Sequence, residues 1–172
     1  MNDSVPRILS PGLQPRTVSS NANVEAPGDR GVAPSRILVV DDDSEIREII
    51  AVFLRRAAHQ VDTANDGGAG WVALCANAYD LLITDHMMPK LTGLELVRRL
   101  RAVPRALPCI LISGEPPWHE ADLWSLMQPG AVVQKPFALG DLLAKAQVLL
   151  AGGPTAQTAA ATKVVRPALC EA

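Results

Sequence analysis

The sequence predicts an α/β protein built on a parallel, doubly wound sheet, and two apolar runs carry this prediction. The run 81–84 leads straight into Asp85, and the run 36–40 leads straight into Asp41. Neither run alternates apolar with polar residues, which is typical of strands covered on both faces, as in a parallel sheet. Segments with helical spacing alternate with such runs, and this order implies right-handed crossovers between parallel strands.

Each element is placed by its own local pattern. Ser44 is a natural N-cap for the first helix, and Val72 and Cys75 are expected to face inward from the second. The first helix should bury one face, formed by Ile46, Ile49, Ile50, Phe53, Leu54 and Ala57. We predict strands at 36–40, 60–64, 81–85, 108–113 and 131–134, and helices at about 44–57, 69–76, 93–101, 120–127 and 139–150.

Carboxylates follow two of the predicted strands. Asp41, Asp42 and Asp43 come after the first strand, and Asp85 ends the third. The carboxyl edge of an open α/β sheet is where ligands bind, so these acids should meet there. They would raise one another's pKa unless a cation lay among them. Oxygen ligands in small number suit Mg²⁺, which takes one or two carboxylates plus a phosphate. The sequence therefore predicts a divalent-metal site with room for a phosphoryl group.

A serine and a lysine follow the last two predicted strands. Ser113 ends an apolar run, and its hydroxyl can donate to a phosphoryl oxygen, while Gly114 leaves space for a phosphodonor. The alternative is a serine that only caps the next turn. Lys135 would supply a cation against acidic oxygens, and Pro136 would fix the turn that aims it. The alternative is an ordinary surface lysine.

Taken together, these residues resemble the receiver domain of two-component response regulators. The resemblance covers about residues 35–151 and implies a flavodoxin-like fold of five strands in the order 2-1-3-4-5, with a cis bond before Pro136. It rests on separated positions in the family's order and spacing: Val40-Asp41-Asp42, Asp85, Met88-Pro89, Gly93, Ser113 and Lys135-Pro136-Phe137.

The resemblance implies a function for each site residue. Asp85 would accept a phosphoryl group from a histidine kinase or a histidine phosphotransfer protein, and the phosphorylation state would control the binding of a downstream protein. Ser113 and Lys135 would bind the phosphoryl oxygens. Such a domain is a phosphoacceptor and not a turnover enzyme, and a homodimer is left open. Mg²⁺ would be held by Asp42, Asp85 and the backbone carbonyl of Met87, with Asp41 holding a metal-bound water.

Three features depart from the family's pattern. Val132 stands where receivers usually carry a Tyr or Phe that acts as a rotamer switch, and the loop around 128–131 is about two residues shorter than usual. Met87 cannot hydrogen-bond an attacking water, which predicts slow self-hydrolysis. A receiver-fold scaffold that is never phosphorylated is therefore the main alternative. A phosphatase of the haloacid dehalogenase type fits poorly, because its Asp-x-Asp pattern is followed by Thr or Val, whereas Asp43 is followed by Ser44, and no cap domain is expected.

Composition and the chain ends bound the remaining possibilities. The net charge is −2 with no Lys/Arg cluster, which argues against a nucleic-acid surface. The chain has no signal peptide and no membrane-length apolar run, so a cytoplasmic location is expected. We predict a disordered leader at 1–34 and a disordered tail at 152–172 without an output domain.

Trp118 and Trp124 either anchor a partner or pack beside the sheet. The three cysteines are expected to be reduced.

Overall fold

A single parallel sheet organises the domain. The computed structural model describes residues 34–103 and 106–152. Its strands are β1 (Arg36–Val40), β2 (Gln60–Ala64), β3 (Leu81–Asp85), β4 (Cys109–Ser113) and β5 (Gly130–Gln134). They follow the order β2-β1-β3-β4-β5, as the resemblance implies. All four neighbouring pairs are parallel.

Five helices cover the two faces of this sheet. Successive side chains of a strand point to opposite faces, so the strands build two apolar cores. The helices are α1 (Ser44–Arg56), α2 (Gly67–Ala76), α3 (Gly93–Arg101), α4 (Leu123–Leu126) and α5 (Leu139–Gly152). One core packs the sheet against α1 and α5, and the other packs it against α2, α3 and α4. Apart from Pro34 and Gly152, the predicted leader and tail lie outside the described residues.

The N-cap of α1 differs from the prediction. Its N-cap is Asp43 rather than Ser44, because the Asp43 carboxylate accepts from the backbone N–H groups of Glu45 and Ile46. Ile49 was predicted to be buried, but it is 55% exposed. The fully buried stripe of α1 consists of Ile50, Ala51 and Leu54, and Ile49 lies beside it. Its position toward solvent follows from how α1 is rotated against the sheet.

The helix α2 begins two residues earlier than predicted. The side chain of Asp66 caps it by accepting from the N–H of Ala69 at 2.8 Å. The backbone of Leu91 packs directly against the first helical residue, Gly67. A side chain at Gly67 would place its Cβ 2.1 Å from the carbonyl oxygen of Leu91, so glycine is the residue that fits there. Val72 was predicted to face inward and is 67% exposed instead.

The helix α4 is much shorter than predicted. It spans four residues instead of the predicted 120–127, and its N-cap Asp122 makes no side-chain capping bond. Hydrogen-bonded turns replace the first helical turn, including Glu120 N–H to Pro117 O at 3.1 Å. Buried Leu123 and Met127 anchor the segment to the core. Few capping bonds and few buried residues make α4 a weakly held element.

The cysteines behave differently from one another. Cys109 is a buried free thiol as predicted, and burial raises its pKa to about 11, so it is inert at neutral pH. Cys75 is half-buried and disulfide-bonded, so the prediction of a reduced thiol is wrong there. Cys170 lies outside the described residues. Within the described ranges, no helix is both long and apolar enough to cross a membrane.

Candidate functional site

Four predicted site residues meet at the carboxyl edge of the sheet. Asp85 is the last residue of β3 and Ser113 is the last residue of β4, and both are buried. Asp41 directly follows β1 and is also buried. Lys135 directly follows β5, where its N–H donates to Ser113 O at 2.8 Å. The bond between Lys135 and the next residue is cis, as the resemblance implies.

Lys135 joins the two buried carboxylates. Its Nζ lies 2.6 Å from Asp85 Oδ1 and 3.5 Å from Asp41 Oδ2. Burial disfavours the charged lysine, but the hydrogen bond to Asp85 and the negative charges of both aspartates outweigh burial. The pKa of Lys135 therefore lies above its ordinary value. This lysine is not an ordinary surface residue, because three-quarters of its side chain is buried.

Asp41 carries an oxygen whose bonding is incomplete. Oδ1 accepts from the N–H of Asp43 at 2.9 Å, whereas Oδ2 is buried and makes no hydrogen bond. The contact of Oδ2 with Lys135 is an ion pair too long to be a good hydrogen bond. Burial raises the pKa of Asp41 above its ordinary value. A buried carboxylate oxygen that makes no hydrogen bond and only a long ion pair is a position that a bound cation would stabilise.

Both oxygens of Asp85 are held in place. Oδ1 accepts from Lys135, and Oδ2 accepts from the backbone N–H of Met87 at 2.6 Å. These two bonds fix the rotamer of the carboxylate at the floor of an open pocket. The Met87 side chain is 68% exposed at the rim. The pocket is lined by Asp41, Asp42, Asp43, Ile46, Asp85, His86, Met87, Gly114, Glu115, Pro117, His119 and Lys135.

The donor set fits Mg²⁺ better than a metal that needs a full protein cage. Among the described residues, no group of three or more His, Cys, Asp or Glu side chains is arranged to hold a metal ion. The pocket instead offers the buried carboxylates of Asp41 and Asp85 and the exposed carboxylate of Asp42, and Met87 also lines it. Mg²⁺ keeps several waters and needs only one or two protein carboxylates. The Asp41 oxygen that makes no hydrogen bond supports the same fit.

Ser113 serves as an acceptor in this state. Its Oγ accepts from the N–H of Glu115 at 3.1 Å, which is the turn-capping role considered from the sequence. A hydroxyl can accept and donate at once, so its proton stays available to a phosphoryl oxygen. Gly114 is exposed, and a Cβ there would meet nothing within 4 Å. The approach to Asp85 past this residue is open.

Two residues of the site were missed from the sequence. The guanidinium of Arg47 donates to the carbonyl oxygen of Asp41 at 2.6 Å and so stabilises the turn formed by residues 41–43. Its position four residues after the N-cap Asp43 was the available signal, because such spacing returns a side chain to the start of the helix. His86 lines the pocket beside Asp85, and burial lowers its pKa. Its adjacency to Asp85 was the signal.

We expect Asp41→Asn to stabilise the metal-free domain. The raised pKa of Asp41 means that the folded protein favours the protonated carboxyl, so ionisation costs stability as pH rises above about 3.9. Asparagine is neutral and keeps an oxygen for the N–H of Asp43. The gain in unfolding free energy should grow from pH 4 toward neutral pH and then level off. Urea unfolding in EDTA measures it, and a variant less stable than wild type at pH 7 would contradict this account.

Comparison with known proteins assigns this chain to a family. The family model described as "Response regulator receiver domain" matches residues 37–147, which include every residue joined at the pocket. The chain belongs to the response-regulator receiver family. The strand order of this receiver agrees with that assignment.

Curated and solved relatives of this receiver agree with one another. It is 36% identical over 117 residues to the response regulator MprA of Mycobacterium sp. (strain KMS), covering 68% of this chain and 51% of that protein. The chain therefore spans about half the length of the curated relatives it matches. The receiver protein of Pseudomonas putida is 32% identical with a TM-score of 0.62, covering 67% of this chain and 98% of that one. TrrA of Thermotoga maritima, solved in complex with Mg²⁺-BeF, is 30% identical with a TM-score of 0.61 and covers the same shares.

Proposed function

We propose that Asp85 accepts a phosphoryl group from a histidine kinase or a histidine phosphotransfer protein. The observation that carries the proposal is the buried Asp85 carboxylate, whose two oxygens are oriented by Lys135 and by the N–H of Met87 under an open pocket. A carboxylate oxygen would attack phosphorus in line, and the P–N bond to the donor imidazole would break as the ring leaves with its electron pair. The product is an aspartyl phosphate.

Mg²⁺ is proposed as the cofactor. Asp42, Asp85 and the carbonyl of Met87 would hold it, with Asp41 binding one of its waters. When bound, the ion supplies positive charge that neutralises the transferring phosphoryl group. The solved relative with Mg²⁺-BeF supports this assignment, as does the Asp41 oxygen that makes no hydrogen bond.

Lys135 and Ser113 would bind the phosphoryl oxygens. Lys135 Nζ already lies 2.6 Å from Asp85 Oδ1, so it could move from the carboxylate to the new phosphate by a small rotation. Ser113 would turn its hydroxyl proton toward the same group. Phosphorylation would therefore change the bonds made at the ends of β4 and β5, and a downstream protein that prefers one state would read it.

The same role predicts the activity, location and partners of the domain. The domain would act as a phosphoacceptor and not as a turnover enzyme. It would work in the cytoplasm with a kinase or phosphotransfer partner and would make no direct nucleic-acid contact. A homodimer is compatible with these predictions.

The test is the intact mass of the purified protein after incubation with Mg²⁺ and acetyl phosphate. We expect one added phosphoryl group, absent from the Asp85→Asn variant and from wild type in EDTA. Asp80→Asn is a matched control, because Asp80 is exposed just before β3, and it should retain the adduct. An intact fold with no adduct, from acetyl phosphate or from a phosphorylated histidine donor, would favour the constitutive scaffold.

We expect the aspartyl phosphate to hydrolyse slowly, and Met87→Asn to hasten its loss. The exposed thioether of Met87 offers no useful hydrogen bond to an attacking water, whereas an amide does. One hydrogen bond worth about 1 kcal/mol in the transition state corresponds to roughly five- to tenfold in rate. The decay of the adduct, followed by intact mass after removal of acetyl phosphate, gives both rates. Equal lifetimes in the two proteins would show that this position does not control hydrolysis.

A further inference from the structure

The outer face of α2 is apolar. Gly68, Val72, Cys75 and Ala76 lie at three- and four-residue spacing, so they share one side of the helix. Val72 is 67% exposed and Ala76 is also exposed, so this side faces solvent. No residue of α2 carries a charge. A helix that is apolar all round is typical of a buried position, so this outer face is a surface that another segment would cover.

The exposed tryptophans, by contrast, partly cover each other. Trp118 and Trp124 are 54% and 62% exposed and stack with ring centroids 5.6 Å apart and planes inclined by 25°. The sequence prediction that they pack beside the sheet is therefore wrong. The face of α2 has a feature that the tryptophan pair lacks, because one of its residues is covalently bonded to another cysteine.

That residue is Cys75, and counting the cysteines identifies its partner. Cys75 is disulfide-bonded. The chain has three cysteines, and Cys109 is a buried free thiol. Within this chain, Cys170 is therefore the cysteine that remains to bond with Cys75.

The segment that ends in Cys170 has the composition and the length for this contact. Cys170 lies 18 residues beyond Gly152, the last residue of α5. A chain of that length spans about 60 Å when extended, whereas a domain of this size is only about 35 Å across. The segment can therefore reach α2 from the end of α5. Four of the six residues before Cys170 are apolar: Val164, Val165, Ala168 and Leu169.

We infer that the segment 164–172 docks on the outer face of α2 and is tethered there by a redox-sensitive Cys75–Cys170 disulfide. Disulfides in a reducing cytoplasm, the location expected for this domain, are mostly transient or redox-sensing. Half-buried Cys75 is accessible to small thiols, whereas Cys109 is fully buried. The apolar contact raises the effective concentration of one cysteine at the other. The inference does not rest on phosphorylation of Asp85.

The bond would form by exchange with a low-molecular-weight disulfide. The Cys75 thiolate attacks one sulfur of that molecule to give a mixed disulfide, and the other sulfur leaves as a thiolate. The Cys170 thiolate then attacks Cys75 Sγ, which forms the protein disulfide and releases the second small thiolate. The protein loses two electrons and two protons, and the small disulfide is reduced to two thiols. An excess of small thiol reverses both steps and releases the segment.

A peptide map of the full chain tests the pairing. The protein is incubated with glutathione disulfide, alkylated in urea and digested with trypsin, with dithiothreitol-treated protein as the control. We expect peptide 57–90 linked to peptide 164–172, an alkylated Cys109 and the intact mass of one chain without reductant. A link between two copies, a link through Cys109, or Cys75 and Cys170 both left alkylated or bound to glutathione would overturn the inference.

Redox equilibrium with glutathione separates docking from a flexible tether. Val72→Asp and Leu169→Asp each place a charge in the proposed contact. The ratio of disulfide to dithiol at fixed glutathione should fall roughly fivefold or more in each, because a buried apolar side chain is lost. Val148→Asp, at a 72% exposed valine of α5, is the matched control and should keep the wild-type ratio. Leu169→Asp leaves every residue of the receiver unchanged, so it decides the matter if Val72→Asp folds poorly. The wild-type ratio in Leu169→Asp would show a tether without docking and overturn the inference.

Discussion

Gly93→Ala is expected to lower the free energy of unfolding by about 3 kcal/mol, as overpacking at a site that cannot relax does. Gly93 is the buried first residue of α3, and its N–H donates to His86 O at 2.9 Å. A Cβ there would lie 2.0 Å from the carbonyl oxygen of Asp85 and 3.0 Å from a methyl of Leu111. The nearest atom is backbone, so the helix or the end of β3 must move.

That movement should also reach the site, because the displaced backbone is that of Asp85. We expect urea unfolding to show the loss of stability and intact mass to show slower phosphorylation by acetyl phosphate. Gly140→Ala is the matched control: a Cβ on this exposed residue of α5 meets nothing within 4 Å. Alanine there should stabilise by up to about 1 kcal/mol, since it restricts the unfolded chain. Equal effects of the two substitutions would refute the close-approach argument.

Lys135→Met is expected to destabilise the metal-free domain by about 3 kcal/mol, because breaking a buried ion pair leaves uncompensated charge. Methionine keeps the length of the side chain but removes the cation between Asp41 and Asp85. Both carboxylates are buried, and Asp41 Oδ2 has no hydrogen bond to fall back on. The loss is therefore electrostatic in origin.

Magnesium should offset this loss in part, since a bound cation replaces the missing charge. Urea unfolding of Lys135→Met in EDTA and in Mg²⁺ gives the comparison, and Lys145→Met, an exposed lysine on α5, is the control. The control should differ little from wild type in either buffer. A Lys135→Met protein as stable as wild type in EDTA would show that the two carboxylates do not need this lysine.

The sequence predicted the β-strands more reliably than the helices. The third strand is where it was predicted, because residues 81–83 are apolar and all of residues 81–85 are buried. The first strand matches because residues 37–40 are apolar and buried. The last two shift by a residue at their start, where Pro108 cannot donate to the ladder and Gly130 can fit against the carbonyl of Cys109.

Helix faces were harder to predict, because spacing alone does not fix how a helix is rotated against the sheet. Ile49 and Val72 have apolar side chains at plausible spacing, yet both face solvent. In α2 nearly every residue is small or apolar, so the sequence has no polar stripe to mark the outer face. In α4 the competing turns after Pro117 shortened the helix, an outcome set by hydrogen bonds that span the loop.

By itself, the sequence determined the α/β class, the strand order through the family resemblance, and which side chains reach the carboxyl edge. The class and the residues at the edge follow from local pattern, since a parallel strand delivers its last residue to one edge wherever it lies in the sheet. Only the tertiary structure decided how Lys135 lies between the two buried carboxylates. That contact joins residues at the ends of three separate strands, and its geometry depends on packing that no local pattern encodes.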